Sequence, residues 1–418
     1  MALSAHYDAL EARAPRERET ALMAALPRQL AHAKQNAPGW AQILKDVDAA
    51  AVTTRAALAD LPVTRKSDLP ELQKSMPPFG GLNATPVERM AKLFASPGPV
   101  YEPEGQGKDW WRTARSLYAA GFRAGDLVLN SFAYHFTPAA SMVEQGALAI
   151  GCTVVPGGTG QTEMQAAVIR DLRVNAFGGT PSFLKLIVEK ADELKIDITP
   201  LKKAIVGAEY LPPALRQAMA ARGIRVLQLY ATADIGLLAY ESATPEGAVT
   251  EGMILDEALI LENLRPGTGQ PVPEGEVGEV VVTSMNPDYP LIRFGTGDLS
   301  AILAGTSPCG RTNTRIKGWM GRADQTTKVR AMFVTPKQVG EVLRRHQEVL
   351  KARLVVEGET GNDRMTLKCE VKDRPGGLAE AIVASIREVT KLRGEVELVA
   401  PGSLPNDGKV IDDTRKYN

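Results

Sequence analysis

From about Asp109 to Leu229 the chain alternates amphipathic helical stretches with short apolar runs. The apolar runs are Leu127–Phe132, Cys152–Val155, Asn175–Phe177, Ala204–Val206 and Val226–Leu229. Trp110–Ala120, Met142–Ala149, Gln165–Leu172, Phe183–Leu194 and Leu211–Arg222 have helical spacing. A strand followed by a helix cannot close a hairpin, so its next strand lies parallel and the helices cover the sheet. This pattern predicts an α/β domain with a largely parallel sheet. In such sheets ligands sit beyond the carboxyl ends of the strands. Gly157–Gly160, Gly178–Pro181, Gly207–Glu209 and Tyr230–Asp234 all fall at such ends.

The rest of the chain arranges itself around that segment. The first fifty residues read as helical, with Leu22, Met23, Leu26 and Leu30 on one face. Pro62, Pro70, Pro77 and Pro78, with Gly80 and Gly81, then break the chain into turns. After Glu251 the pattern turns β-rich, with runs at Ala258–Leu264, Gly278–Thr283 and Leu291–Phe294. A last unit reads α-β-β-α-β: Pro336–His346, Ala352–Val356, Met365–Val371, Leu378–Leu392 and Glu395–Val399. The expected organisation is a large N-terminal domain of mixed α/β sheets with a β-rich subdomain, residues 1–322. A small α+β domain follows at residues 323–418.

Charge and cysteine content narrow the function classes. The 418 residues carry 49 basic and 49 acidic side chains, which gives no global drive toward nucleic acid or an anionic membrane. No uncharged apolar run approaches the length of a transmembrane helix, and the N-terminus lacks the apolar core of a signal peptide. Cys152, Cys309 and Cys369 stand far apart with no CxxC spacing, so neither a disulfide framework nor a zinc knuckle is supported. A reduced, cytoplasmic protein is expected.

Each candidate motif has a chemical and a plain structural reading. Gly157–Glu163 lies between an apolar run and a helix; it is either a turn near an anion or a turn whose helix is capped by Thr159 or Thr162. Tyr230–Asp234 sets a hydroxyl and a carboxylate two residues apart, suited to a phosphate and a magnesium ion, or to capping a turn. Arg293–Asp298 offers Asp298 to a ribose diol, and Gly321–Asp324 offers Arg322 and Asp324 to a ligand or to solvent. Lys409 follows a glycine near the C-terminus. Neither a dinucleotide-binding fingerprint nor a P-loop is present.

Taken in order and spacing, these pieces resemble the adenylate-forming superfamily and, within it, the phenylacetate–CoA ligase family. The resemblance runs from Tyr7–Leu10 and Leu61–Leu69 through Gly157–Gln165, Thr180–Ser182, Gly207–Glu209, Tyr230–Asp234, Arg293–Asp298 and Gly321–Asp324 to Gly408–Lys409. It implies activation of a carboxylic acid by Mg-ATP as an acyl-adenylate, then transfer to coenzyme A after the C-terminal domain swings. By motif match Gly207, Ala208 and Glu209 line the adenine site, Tyr230 stacks on adenine and Thr232 touches the phosphates. Asp234 holds Mg2+, Asp298 holds the ribose with Arg322 nearby, Asp324 is the hinge, and Lys409 bridges carboxylate and α-phosphate. Tyr134, His135, Phe136, Ile235 and Gly236 flank the acid pocket, whose aromatic side chains suit an aryl or arylacetic acid; core packing is the other reading of that run. Members of the family often pair as homodimers.

The chain also departs from the family's pattern. Ala95–Pro103 stands where the family has a Ser/Thr/Gly-rich phosphate loop ending in lysine. Its prolines remove backbone donors, and Glu102 adds negative charge. Asp234 replaces a glutamate, and Ala331 a glycine. Two functions are therefore carried forward: an acid–CoA ligase, and a homologue that binds nucleotide or acyl-adenylate without turnover.

Overall fold

The computed structural model describes residues 5–96, 100–266, 268–323, 325, 327–330, 332–358, 363–405 and 409–415. Two compact units divide the chain, residues 1–320 and 321–418, so Arg322 belongs to the smaller one.

The expected alternation is present in the larger unit. Strands Thr153–Pro156, Leu127–Asn130, Ala176–Gly179, Lys203–Val206 and Arg225–Thr232 pair in that spatial order, all parallel. Successive side chains of a strand point to opposite faces, and here both faces are buried. Leu129, Phe177, Ala204, Val206 and Val226 pack with helices Thr162–Asp171, Pro181–Leu194 and Pro213–Ala221. Their neighbours Val128, Ala176, Ile205 and Leu227 pack instead with helices Ala114–Ala119 and Ala139–Ile150. Covering on both sides is what a parallel sheet of apolar strands requires. Helix Thr162–Asp171 is capped differently from the Thr159 or Thr162 cap considered above. Its N-cap is Gln161, left-handed at φ 52°, with no side-chain cap bond.

Arg225–Thr232 then reverses into the antiparallel strand Gly236–Tyr240. The same sheet continues antiparallel through Met253–Leu255, Arg315–Ile316, Phe294–Leu303, Val277–Ser284 and Leu259–Leu264. Thr64–Arg65 adds to it, parallel to Phe294–Gly295. This half packs on the N-terminal helix Pro15–Asn36 through Leu26, Leu30, Val280, Val282 and Phe294. The strand expected at Leu291–Phe294 begins only at Phe294 and runs to Leu303. Arg293 is left-handed at φ 42°, which breaks the extended backbone. Its guanidinium is buried, bonded to both Glu262 carboxylate oxygens at 2.9 Å and to the carbonyls of Ala59 and Leu61. A hairpin, Lys92–Ser96 with Val100–Glu104, was not expected from the sequence.

In the smaller unit Val349–Glu357 and Arg364–Val371 are antiparallel, with Glu395–Val399 parallel to the latter, as the sequence pattern suggests. Helices Pro336–Arg344 and Leu378–Thr390 pack on them, the first opened by a Thr335–Gln338 capping box. The three-residue strands Thr327–Val329, Met332–Val334 and Ile411–Asp413 are too short to leave a periodic pattern in the sequence. Among the described residues no helix is long and apolar enough to cross a membrane.

Arg293→Met removes one member of a buried charge pair and leaves the Glu262 carboxylate uncompensated. We expect a loss of about 3 kcal/mol or more in urea unfolding followed by tryptophan fluorescence. A change within about 0.5 kcal/mol, the ordinary range for surface substitutions, would contradict this placement.

Candidate active site

The strand–helix turns collect on one edge of the larger unit, because every parallel strand ends there. The glycine turn after Thr153–Pro156 is held by Gln165, whose side-chain amide donates to the carbonyls of Gly158 (2.9 Å) and Gly160 (2.8 Å). The Gln165 carbonyl oxygen in turn accepts from Ser131 at 2.6 Å, which ties this turn to the end of the neighbouring strand. A Cβ on Gly157 would lie 2.8 Å from a Leu129 methyl, which would have to shift to admit it.

Gly207–Glu209 sits between two flanking strand ends. The Gly207 amide donates to the Gly179 carbonyl (3.2 Å), and Ala208 is left-handed at φ 64°. The Glu209 carbonyl accepts from Gln228 (3.0 Å), and its carboxylate from the Ser182 amide (3.2 Å). Next along the edge, the buried Tyr230 hydroxyl donates to Asp298 Oδ2 at 2.7 Å. Trp319 Nε1 donates to Asp298 Oδ1 at 3.1 Å. Asp298 comes from the antiparallel half, so this pair stitches the two halves of the sheet together at the edge.

The reversal after Thr232 is tightly specified. Thr232 Oγ1 accepts from the Ile235 amide (3.3 Å), and the Ile235 carbonyl accepts from Arg112 (2.6 Å). Gly236 is left-handed at φ 80°, and a Cβ there would approach the Trp111 carbonyl to 2.8 Å. Asp234 is buried, and its Oδ2 accepts from Lys66 Nζ at 2.5 Å. Lys66 directly follows Thr64–Arg65, the short strand docked on Phe294–Gly295.

Glu102, on the unexpected hairpin, is fully buried beside this pair. Burial pushes its pKa up to about 8; the Asp234 charge acts in the same direction, while Lys66 and Ser96 oppose it. Both Glu102 carboxylate oxygens, Asp234 Oδ1 and the Tyr289 hydroxyl are buried without a hydrogen bond of normal geometry. Two buried carboxyl groups thus lie near one ammonium, which bonds to Asp234. Mg2+ takes oxygen ligands and is usually held by one or two carboxylates together with phosphate and water oxygens. The orphaned oxygens of Asp234 and Glu102 fit that donor set. Among the described residues no group of three His, Cys, Asp or Glu side chains is placed to hold a metal ion, so remaining ligands would come from substrate and water.

Tyr134, His135 and Phe136 lie on the loop after Leu127–Asn130 and are exposed, so they are not core packing. The Tyr134 hydroxyl donates to Glu144 (2.6 Å), and the Phe136 carbonyl accepts from the Ala95 amide (2.8 Å). Lys409 and Arg322 belong to the smaller unit, where the exposed Lys409 ammonium donates to Asp412 at 3.0 Å. Asp324 and Gly408 lie outside the described residues. Three participants carried no assigned role in the sequence reading. Lys66 sits inside the Leu61–Leu69 resemblance, whereas Tyr289 and Trp319 had no local signal at all.

Comparison with known proteins decides the lineage. A model of AMP-binding enzymes matches residues 108–286. A phenylacetate–coenzyme A ligase of Thermus thermophilus is 31% identical over 94% of each chain. One from Aromatoleum evansii is 32% identical over 81% of this chain and 78% of its own. The chain belongs to the phenylacetate–CoA ligase family. Its fold agrees with that of a solved 2-hydroxyisobutyryl-CoA ligase, which is 24% identical with a TM-score of 0.83, covering 100% of this chain and 94% of the other. That enzyme was captured with its acyl-AMP and CoA.

The Lys66–Asp234 contact is open to a direct energetic test. In a double-mutant cycle of Lys66→Met and Asp234→Asn, urea unfolding should give a coupling energy of about 1 kcal/mol or more. Additive effects would contradict the ion pair.

Proposed function

We propose that this chain is an ATP-dependent acid–CoA ligase that activates an aryl or arylacetic acid as its acyl-adenylate and passes the acyl group to coenzyme A. The observation that carries this reading is the Tyr230–Asp298 pair, set at the strand edge beside Gly207–Glu209. An adenosine lying along that edge meets three kinds of group. Gly207, Ala208 and Glu209 face the adenine, Tyr230 offers its ring, and Asp298 accepts from the ribose hydroxyls. Each Asp298 oxygen already accepts one bond, but a carboxylate has about four acceptor sites and retains capacity for the ribose. Arg322 supports the ribose, and Asp324 serves as the hinge.

A carboxylate attacking the α-phosphorus must overcome repulsion between like charges. Bound Mg2+ would offset phosphate charge, held by Asp234 and by Glu102 beside it. Thr232 donates to a phosphate oxygen. Lys409 contributes an ammonium between the attacking carboxylate and the α-phosphate, where negative charge gathers. No general base is needed for an acid that is already ionised, so His135 has no proton to remove. Tyr134, His135 and Phe136, with Ile235 and Gly236, supply the acid-binding surface. The three free, buried cysteines accord with a cytoplasmic enzyme. The altered phosphate loop favours a second reading, binding without turnover, because its prolines remove backbone donors and Glu102 adds negative charge near a polyphosphate.

Acid-dependent ATP–pyrophosphate exchange and thioester formation, screened over aryl, arylacetic and short aliphatic acids, separate the two readings. The ligase reading predicts both activities. It also predicts that Lys409→Ala lowers exchange about a hundredfold or more with unchanged circular dichroism, since Lys409 is exposed. No exchange across the panel, or full exchange in the Lys409 variant, would contradict it.

A further inference from the structure

The cluster around Asp234 buries two carboxyl groups, those of Asp234 and Glu102, near one ammonium, that of Lys66. Glu102 is 0% exposed, Asp234 3% and Tyr289 1%. The Lys66 ammonium reaches Asp234 Oδ2. The two Glu102 oxygens, Asp234 Oδ1 and the Tyr289 hydroxyl have no hydrogen bond of normal geometry although they are buried. Ser96 eases the burial of Glu102, but a buried carboxylate stays costly to ionise unless a counter-charge reaches it.

We propose that Glu102 and Asp234 form a two-carboxylate site for a divalent cation, Glu102 being a ligand that this chain adds. The proposal rests on the nucleotide-cleft reading for what the cation meets when substrate binds; cation binding itself does not depend on that reading. The hairpin explains the addition. Only Pro97, Gly98 and Pro99 join its two strands, with no lysine among them. Strand Val100–Glu104 brings Glu102 inward instead. A cation held there restores, as a bound charge, what a loop lysine would have supplied. The Tyr289 hydroxyl is placed to donate to a ligand oxygen or to a coordinated water, an outer-shell contact that orients the ligand. Lys66 competes with the cation for Asp234.

The test uses the full chain without nucleotide and Mn2+ as the probe, with binding read as loss of the free-ion electron paramagnetic resonance signal. Wild type should bind Mn2+ and release it to excess Mg2+. Glu102→Gln and Asp234→Asn should each weaken binding about tenfold or more, whereas Lys66→Met should tighten it. Glu102→Gln keeps the shape and removes a buried ionisable group, so its fold should be retained; thermal unfolding of each variant checks this. Wild type that leaves the Mn2+ signal undiminished, or a folded Glu102→Gln that binds as wild type does, overturns the proposal. Mn2+ binding that depends on Glu102 with no pyrophosphate exchange would sink the ligase reading and leave this site standing. Exchange with no Glu102 dependence of binding would do the reverse.

Discussion

Strand Arg225–Thr232 is the seam on which the larger unit depends. On one side it continues a parallel sheet, and on the other it opens an antiparallel one. The first pairing sends its carboxyl end to the edge where the strand–helix turns gather. The second demands an immediate reversal, which Gly236 permits and the Thr232–Ile235 contact holds. Tyr230, Thr232 and Asp234 therefore reach the site because of hydrogen-bond direction in the sheet. Asp298 arrives from the other half and locks onto Tyr230, so the seam is closed by a polar contact at the point where a ligand would lie.

A second constraint is electrostatic. Burying Asp234 beside Lys66 is ordinary, because the pair is close and one oxygen is satisfied. Burying Glu102 with them is not, and its raised pKa states the cost in another form. Stable folds hydrogen-bond their buried polar groups. A cluster with orphaned oxygens at the edge that carries the family's nucleotide motifs is better matched to a ligand than to apoprotein stability alone.

The parallel half was legible because both of its signals are local: helical spacing and punctuation by glycine and proline. Glu395–Val399 and the capped helix at Pro336 were readable for the same reason. The Lys92–Glu104 hairpin was not, since Pro103 and the alternating charges Glu102 and Glu104 argue against a strand, while pairing across Phe94 and Ser96 overrides them. Arg293 delays the strand expected from Leu291 until Phe294, through contacts with Ala59, Leu61 and Glu262, all remote in sequence. Along the candidate site's edge, Gly207–Glu209, Tyr230, Asp234 and Asp298 stand out by motif order, and their ligand roles remain the proposal above. Lys66, Tyr289 and Trp319 do not stand out, because their meaning lies in which strand they stand beside.

Distant turns converge on one strand edge, along which the proposed AMP moiety would lie. Hydrogen–deuterium exchange of the full chain with and without AMP tests that convergence most directly. Slowed exchange confined to Gly207–Glu209, Tyr230–Gly236 and the segment around Asp298 is the expected result. Unchanged exchange at saturating AMP, or protection gathered on a different face of the sheet, would contradict it.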